Sequence, residues 1–211
     1  DLMVAAAKKV YDTEGCDMVI GIGGGSPQDS AKAVSAASGY APIVLIPTTA
    51  GSGSEATKFY CVTESATDTK KVIPRLAVID PTLSVTAPKS ITAATGMDAL
   101  THAVEAYTSK KATPYTDIFA MSAIKRVFAY LPAAYENGAD LEARTQMALA
   151  AYEAGVCINN ASVTLVHGMS RPIGALFHVP HGISNAMLIS KCLAFAEDGC
   201  ISRFAAIGRG I

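Results

Sequence analysis

The chain has 211 residues, 50% hydrophobic and 17% charged, with 17 lysines and arginines against 18 aspartates and glutamates. A formal charge of −1 leaves no basic footprint for nucleic acid or an anionic membrane surface, and this hydrophobicity at low net charge excludes disorder. Mean hydropathy is +0.31, but no apolar run approaches the roughly 18 residues of a membrane span, so a soluble chain of one large or two small domains is expected. Residues 2–14 predict an amphipathic helix with Val4, Ala7, Val10 and Tyr11 on one stripe. After Gly15, the run Asp17–Ile22 suits a strand buried on both faces. Gly23-Gly24-Gly25-Ser26 then turns into a helix over 27–38, with Pro27 in its first turn. Ile43–Ile46 predicts a second buried strand, which ends at Pro47 and enters the small polar loop Thr48–Glu55. Residues 57–63 and 75–79 are further strand candidates. Beyond residue 90 strand patterns stop, and Thr92–Tyr107, Thr116–Leu131, Leu141–Ile158 and Val163–Ile173 have helical spacing. The expected fold class is an α/β domain with a parallel sheet over residues 1–92, followed by an all-α domain over residues 93–211.

The five cysteines (Cys16, Cys61, Cys157, Cys192 and Cys200) are odd in number and form no CxxC pair. They read as reduced, mostly buried thiols of a cytoplasmic protein. Asp1-Leu2-Met3 opens straight into helical material with no basic leader or cleavage site, and the two ends of the chain read as those of a fragment. Met97, Met121, Met147, Met169 and Met187 read as core fillers, Asn159-Asn160 as a turn and cap, and Glu105 as a solvated or capping carboxylate.

Three groups of residues carry chemistry. Directly after a buried strand and before a helix, the turn Gly23–Ser26 can bring backbone N–H groups to a phosphate at the helix N-terminus. It is neither GxGxxG nor a P-loop, so a tight structural turn is nearly as good a reading by itself. The loop after the second strand offers the hydroxyls of Thr48, Thr49, Ser52 and Ser54 with Gly51 and Gly53, and two such loops at strand carboxyl ends mark where open α/β sheets bind nucleotides. Asp98 and His102 are i and i+4, on one helical face and able to reach one metal ion; a solvated pair or a helix cap is the alternative. His167, His178 and His181 are the remaining histidines of four in the chain. Neutral imidazoles beside a carboxylate suit Fe(II), Zn(II) or Mn(II).

The segments GGGSPQDSAK (23–32), PTTAGSGSE (47–55), GMDALTHAVEAY (96–107) and VHGMSRPIGALFHVPHG (166–182) resemble, in order, the signatures of iron-containing (group III) alcohol dehydrogenases. The resemblance implies a dehydroquinate synthase-like architecture, in which a dinucleotide-binding α/β domain and a helical metal-binding domain meet at a cleft. It places metal ligands at Asp98, His102, His167 and His181, and the phosphate-cradling turn at Gly24, Gly25 and Ser26 with Asp29 close to the cofactor. Thr48, Thr49 and Ser52 fall on the second cofactor loop, and Thr57, Phe59 and Lys70 on further cofactor positions, with Lys71 nearly as good a match as Lys70. His178 is a candidate catalytic proton relay or a pocket wall, and Arg171 stands where some relatives carry another histidine. Relative to the family, the first strands ahead of Asp1 and the helical part after Ile211 are missing, and the connections at 39–42 and 71–74 are short. The implied activity is hydride transfer between a primary alcohol or aldehyde and NAD or NADP, with Fe(II), or alternatively Zn(II), as Lewis acid, in a homodimer. A metal-dependent lyase or hydrolase, a polyol dehydrogenase of the same fold and an inactive metal-binding fragment are the rival readings.

Overall fold

A computed structural model of the chain describes residues 2–60 and 72–211. Helix α1 (Leu2–Thr13) leads into strand β1 (Val19–Gly23), helix α2 (Gly25–Ala37) and strand β2 (Ile43–Pro47). Strand β3 is only two residues long (Leu76–Ala77), where the sequence predicts a strand over 75–79. Among the described residues the sheet is parallel in the order β1-β2-β3, with Val19 paired to Ile43, Gly23 to Pro47 and Leu45 to Ala77. That register aligns the carboxyl ends of β1 and β2, and so the two loops that leave them.

One face of this sheet packs on α2: Ile43 and Leu45 are buried with Ala31, and a Cβ on Gly21 would fall 2.7 Å from both Ala31 and Leu45, so the helix and strand backbones approach closely only because glycine is there. On the opposite face Ile20 and Ile22 are 54% and 59% exposed. The expectation of a strand buried on both faces is thus corrected for β1, an edge strand covered by α2 alone among the described residues. Residues 57–60 are not a strand either; their backbone is spent on Lys32 and Asn159. The rest of that predicted strand, with Cys61, Lys70 and Lys71, lies outside the described residues.

The helical part comprises α3 (Lys89–Thr108), α4 (Pro114–Glu136), α5 (Leu141–Ala161), α6 (Leu165–Phe177), α7 (His181–Ala196) and α8 (Ile201–Gly210). Its core is built from small side chains: Ala99 and Ala103 of α3, Ala123, Ile124 and Val127 of α4, and Met147, Ala150 and Ala154 of α5. Start signals match the sequence chemistry. Thr113 and Thr116 form a reciprocal cap around Pro114, and Asp140 accepts from the Ala143 N–H.

Several expectations are corrected here. α4 runs through Pro132 to Glu136 rather than stopping at Leu131, and α6 starts two residues later than predicted and continues through Pro172 to Phe177. Asn159 and Asn160 lie in the last turn of α5, whose end is Ser162 at φ +66°. Met147 is buried and Met97 and Met121 pack on the core, but Met169 and Met187 are exposed. Of the cysteines, Cys157 and Cys192 are buried, Cys200 half-buried and Cys16 exposed. No helix among the described residues is long and apolar enough to cross a membrane.

Candidate metal centre and nucleotide-binding loops

Helix α3 presents Asp98 and His102 one turn apart on a buried face. His167 comes from the first turn of α6 and His181 from the first residue of α7. Glycine sets the close approach of α7 to α3: a Cβ on Gly182 would lie 2.1 Å from the Ala94 carbonyl oxygen. The four side chains converge so that one ligand atom from each lies within 4.8 Å of the others. Asp98 Oδ1 is 3.7 Å from His102 Nε2, 3.5 Å from His167 Nε2 and 3.4 Å from His181 Nε2. A cation with ligand bonds of about 2.1 Å holds its ligand atoms at roughly 3 to 3.5 Å from one another. The rings of His102 and His167 stack at 4.5 Å.

Burial works against the Asp98 carboxylate, but the three histidines hold it well below the usual carboxylate range. Burial pushes His102 down to about 4, with Asp98 opposing and the other two histidines assisting. Burial likewise lowers His181, Asp98 opposing it, and the charges of His167 and Arg171 act in the same direction as burial. His167 is the exception. Burial alone would lower it, yet hydrogen bonds and charge from Asp98 and Glu105 raise it. Two neutral imidazoles, an ionised carboxylate and a third imidazole therefore face one point.

That point is rich in acceptors. Asn185 Nδ2 donates to Asp98 Oδ1 (2.7 Å) and lies 3.1 Å from His167 Nε2 and 3.3 Å from His181 Nε2. An amide has two hydrogens, so it cannot serve all three acceptors, and its own buried Oδ1 has no partner. A divalent cation satisfies this donor set, and the residues present fit one.

Glu105 is not solvated, as the sequence led us to expect, although it does cap a helix. It is fully buried, its Oε2 stands 2.5 Å from His167 Nδ1, and its Oε1 accepts from the Val166 N–H and the Thr164 hydroxyl. His178 lies outside the group of four. It ends α6 in a left-handed conformation (φ +55°), a stop that histidine tolerates, and is exposed.

The two glycine-bearing loops also meet. Thr48 N–H donates to the Gly23 carbonyl, a Cβ on Gly24 would be 3.3 Å from Thr49 Oγ1, and one on Gly25 would be 3.2 Å from Ser52 Oγ. Gly24, Gly25 and Ser26 form the start of α2, and Thr48, Thr49 and Ser52 line the adjoining loop. Asp29 accepts from the Ser54 hydroxyl at 2.7 Å. Thr57 is buried and serves Lys32, whereas Phe59 is exposed and gives its carbonyl to the same lysine. Lys32 itself is wholly buried, and its Nζ also donates to the Ser54 carbonyl and hydroxyl. It ties α2 to the second loop, which is pinned to α5 as well. Gly53, at φ +59°, touches Gly155 backbone to backbone, and the Lys58 N–H donates to Asn159 Oδ1.

Sequence reasoning missed Lys32 and Asn185 and misjudged Glu105. Lys32 lies one turn from Gln28, Asn185 one turn from His181 and Glu105 one turn from His102, but that spacing alone does not tell a buried, partnered side chain from a solvated one.

Residues 92–211 match the Fe-containing alcohol dehydrogenase family, C-terminal, and residues 1–81 match iron-containing alcohol dehydrogenase. The chain belongs to the iron-containing alcohol dehydrogenase family. It is 43% identical to an NAD-dependent methanol dehydrogenase of Bacillus methanolicus, over 98% of this chain and 60% of that protein. It is 40% identical to a 1,3-propanediol dehydrogenase of Klebsiella pneumoniae, over 90% of this chain and 55% of the relative. The fold matches a crystal structure of a 1,3-propanediol oxidoreductase with a TM-score of 0.93 at 36% identity, covering all of this chain and 61% of that one. A sulfoacetaldehyde reductase from Bifidobacterium kashiwanohense, solved in complex with NAD+, matches with a TM-score of 0.84 at 31% identity, over 92% of this chain and 58% of that one. The chain thus spans about 60% of the length of the relatives it matches.

Proposed function

We propose that this chain carries the metal centre and part of the nucleotide site of an oxidoreductase that moves a hydride between a primary alcohol, or its aldehyde, and a nicotinamide cofactor. The observation that carries the reading is the convergence of Asp98, His102, His167 and His181 from three helices on one point. These four residues would hold a divalent cation, and Fe(II) suits them better than Zn(II), because catalytic zinc more often takes three protein ligands and a water. When bound, the ion would supply Lewis acidity toward the substrate oxygen. The cofactor, its phosphates held by Gly24, Gly25 and Ser26, would supply the acceptor for the hydride and its electron pair, with the hydroxyl proton leaving to solvent.

The chain's own contribution to the nucleotide is at the start of α2. Gly24 and Gly25 leave room for a phosphate against backbone N–H groups there, and Ser26, Thr48, Thr49 and Ser52 add hydroxyl donors. NAD is the proposed cofactor, in keeping with the relatives named for it or solved with it. We assign residues 1–92 to the nucleotide domain and 93–211 to the metal domain; the described strands all precede that boundary, which falls in the first turns of α3.

The test is anaerobic reconstitution with Fe(II), followed by reduced-nicotinamide absorbance with NAD and short primary alcohols. Turnover should require the metal and disappear in His167→Ala. Turnover that survives chelation, or that His167→Ala leaves intact, would overturn the proposal.

A further inference from the structure

Glu105 is outside the proposed ligand set, yet both of its oxygens engage the residues that carry a proposed ligand. We propose that Glu105 is the positioning residue of the metal centre: it fixes the His167 ring with its unprotonated Nε2 toward the cation and couples that choice to the seating of α6. The inference rests on the reading of the four converging donors as a metal centre.

Both oxygens of Glu105 are occupied by groups from residues 164–167. Oε2 stands 2.5 Å from His167 Nδ1. An ionised carboxylate only accepts, so the proton of that contact belongs to Nδ1, and a neutral ring then has its lone pair at Nε2. Nε2 is the atom that faces Asp98 Oδ1 at 3.5 Å. Oε1 accepts from the Val166 N–H at 2.7 Å, the Thr164 hydroxyl at 2.8 Å and, more weakly, the His167 N–H at 3.4 Å. Thr164 precedes α6 and makes no side-chain cap on its own helix, so Glu105 takes that duty from α3. Asp98 and His102 sit on the same helix as Glu105, which therefore sets the His167 tautomer and the α3–α6 spacing with one group. Partners that orient ligating histidines in this way are worth about 10- to 100-fold in metal affinity.

Glu105→Gln separates this role from simple packing, because glutamine matches glutamate in volume but not in acceptors. With its NH2 toward His167, the amide donates to Nδ1, moves the ring proton to Nε2 and spoils the ligand. With its NH2 toward α6, it confronts the Val166 N–H donor to donor. Glu105→Asp keeps two acceptor oxygens on a shorter stem. We expect Zn(II) affinity, measured by chelator competition, to fall in the order wild type, Glu105→Asp, Glu105→Gln, with the glutamine variant about 10- to 100-fold weaker than wild type. A packing role alone gives the reverse order for the two variants and would overturn the inference.

Ring-nitrogen NMR of the Zn(II)-loaded wild-type protein adds a readout that needs no variant. His167 should keep its proton on Nδ1 and coordinate through Nε2, and coordination through Nδ1 would overturn the proposal even if neither variant folds. Failure of the wild type to bind one Zn(II) per chain would sink the metal-centre reading itself. Wild-type binding that Glu105→Gln leaves unchanged would remove only the role of Glu105.

Discussion

Replacing Lys32 by methionine tests whether the second loop is held to the glycine turn by one buried ammonium. Lys32 is fully buried, and its Nζ donates to the Ser54 carbonyl (2.6 Å), the Ser54 hydroxyl (2.8 Å) and the Phe59 carbonyl (2.8 Å), with Thr57 Oγ1 at 3.1 Å. Burial lowers its pKa from 10.5 to about 8, while Asp29 and Glu55 pull the other way. Because the folded value lies below the unfolded one, the unfolded chain binds more protons between these two values, and stability rises with pH across that window. The full amplitude is about 3 kcal/mol, of which roughly 1 kcal/mol appears between pH 7 and pH 9.

Methionine keeps the length of the side chain and removes the charge. It leaves two buried carbonyls without their ammonium donor, at about 1–3 kcal/mol each, against a recovered desolvation cost of about 3 kcal/mol. The net expectation is a loss of roughly 1–2 kcal/mol at neutral pH. The more discriminating quantity is the gap between the two proteins, which should widen by about 1 kcal/mol from pH 7 to pH 9. Urea unfolding at fixed metal concentration across that range measures it, and the titrations common to both proteins cancel in the difference. Parallel stability curves would refute the reasoning, since the ammonium would then be as well solvated folded as unfolded.

Gly182→Ala should unseat α7, because its Cβ would meet the Ala94 carbonyl oxygen at 2.1 Å. A loss of about 1–3 kcal/mol in unfolding free energy and weaker metal binding through the adjacent His181 are expected. Gly208→Ala, where the new methyl meets nothing within 4 Å, should be neutral or stabilising in the same assay. Gly25→Val would crowd Ser52 Oγ, 3.2 Å from the position of its Cβ, at the start of α2. Calorimetric NAD affinity should fall about tenfold or more, as expected if more than about 1.4 kcal/mol of phosphate contact is lost, while chelator competition shows unchanged metal affinity.

What the sequence made legible follows from where polarity and burial agree. The path from β1 through the glycine turn and α2 to β2 could be read because Ile43 and Leu45 are apolar and buried and the turn is unmistakable. The scarcity of histidine and the Asp98–His102 spacing point to a metal site, but only the family resemblance separates His167 and His181 from His178. α7 could not be read. Its buried residues include Ser184 and Asn185 while Met187 and Phe195 are exposed, so the hydrophobic stripe that announces a helix is displaced from the buried face. Of α6 only the last turn, residues 174–177, was missed in addition, beyond Pro172 and opening on a glycine, both of which usually mark a helix end. Glu105 and Lys32 were obscure because their partners are remote: His167 is 62 positions from Glu105, and Ser54 is 22 from Lys32. A charged side chain with no visible local partner reads as solvated until the fold supplies a distant one.

Helix α3 shows why the metal centre and the core are one structural problem. Its Asp98, His102 and Glu105 follow one another at spacings of four and three, while Ala99, Ala103 and Ala106 are fully buried on the same helix. The alanines let neighbouring helices approach closely enough to bury three ionisable side chains, which burial alone would strongly penalise. Each such group is answered from another helix: Glu105 by the N-terminus of α6, Asp98 by Asn185 of α7, and the imidazole lone pairs by the point where a cation fits. α6 and α7 meet α3 through these polar groups, while Leu176, Phe177 and Met187 stay exposed. The site is therefore not grafted onto a finished core. Its charges are part of what seats the helices that carry its ligands.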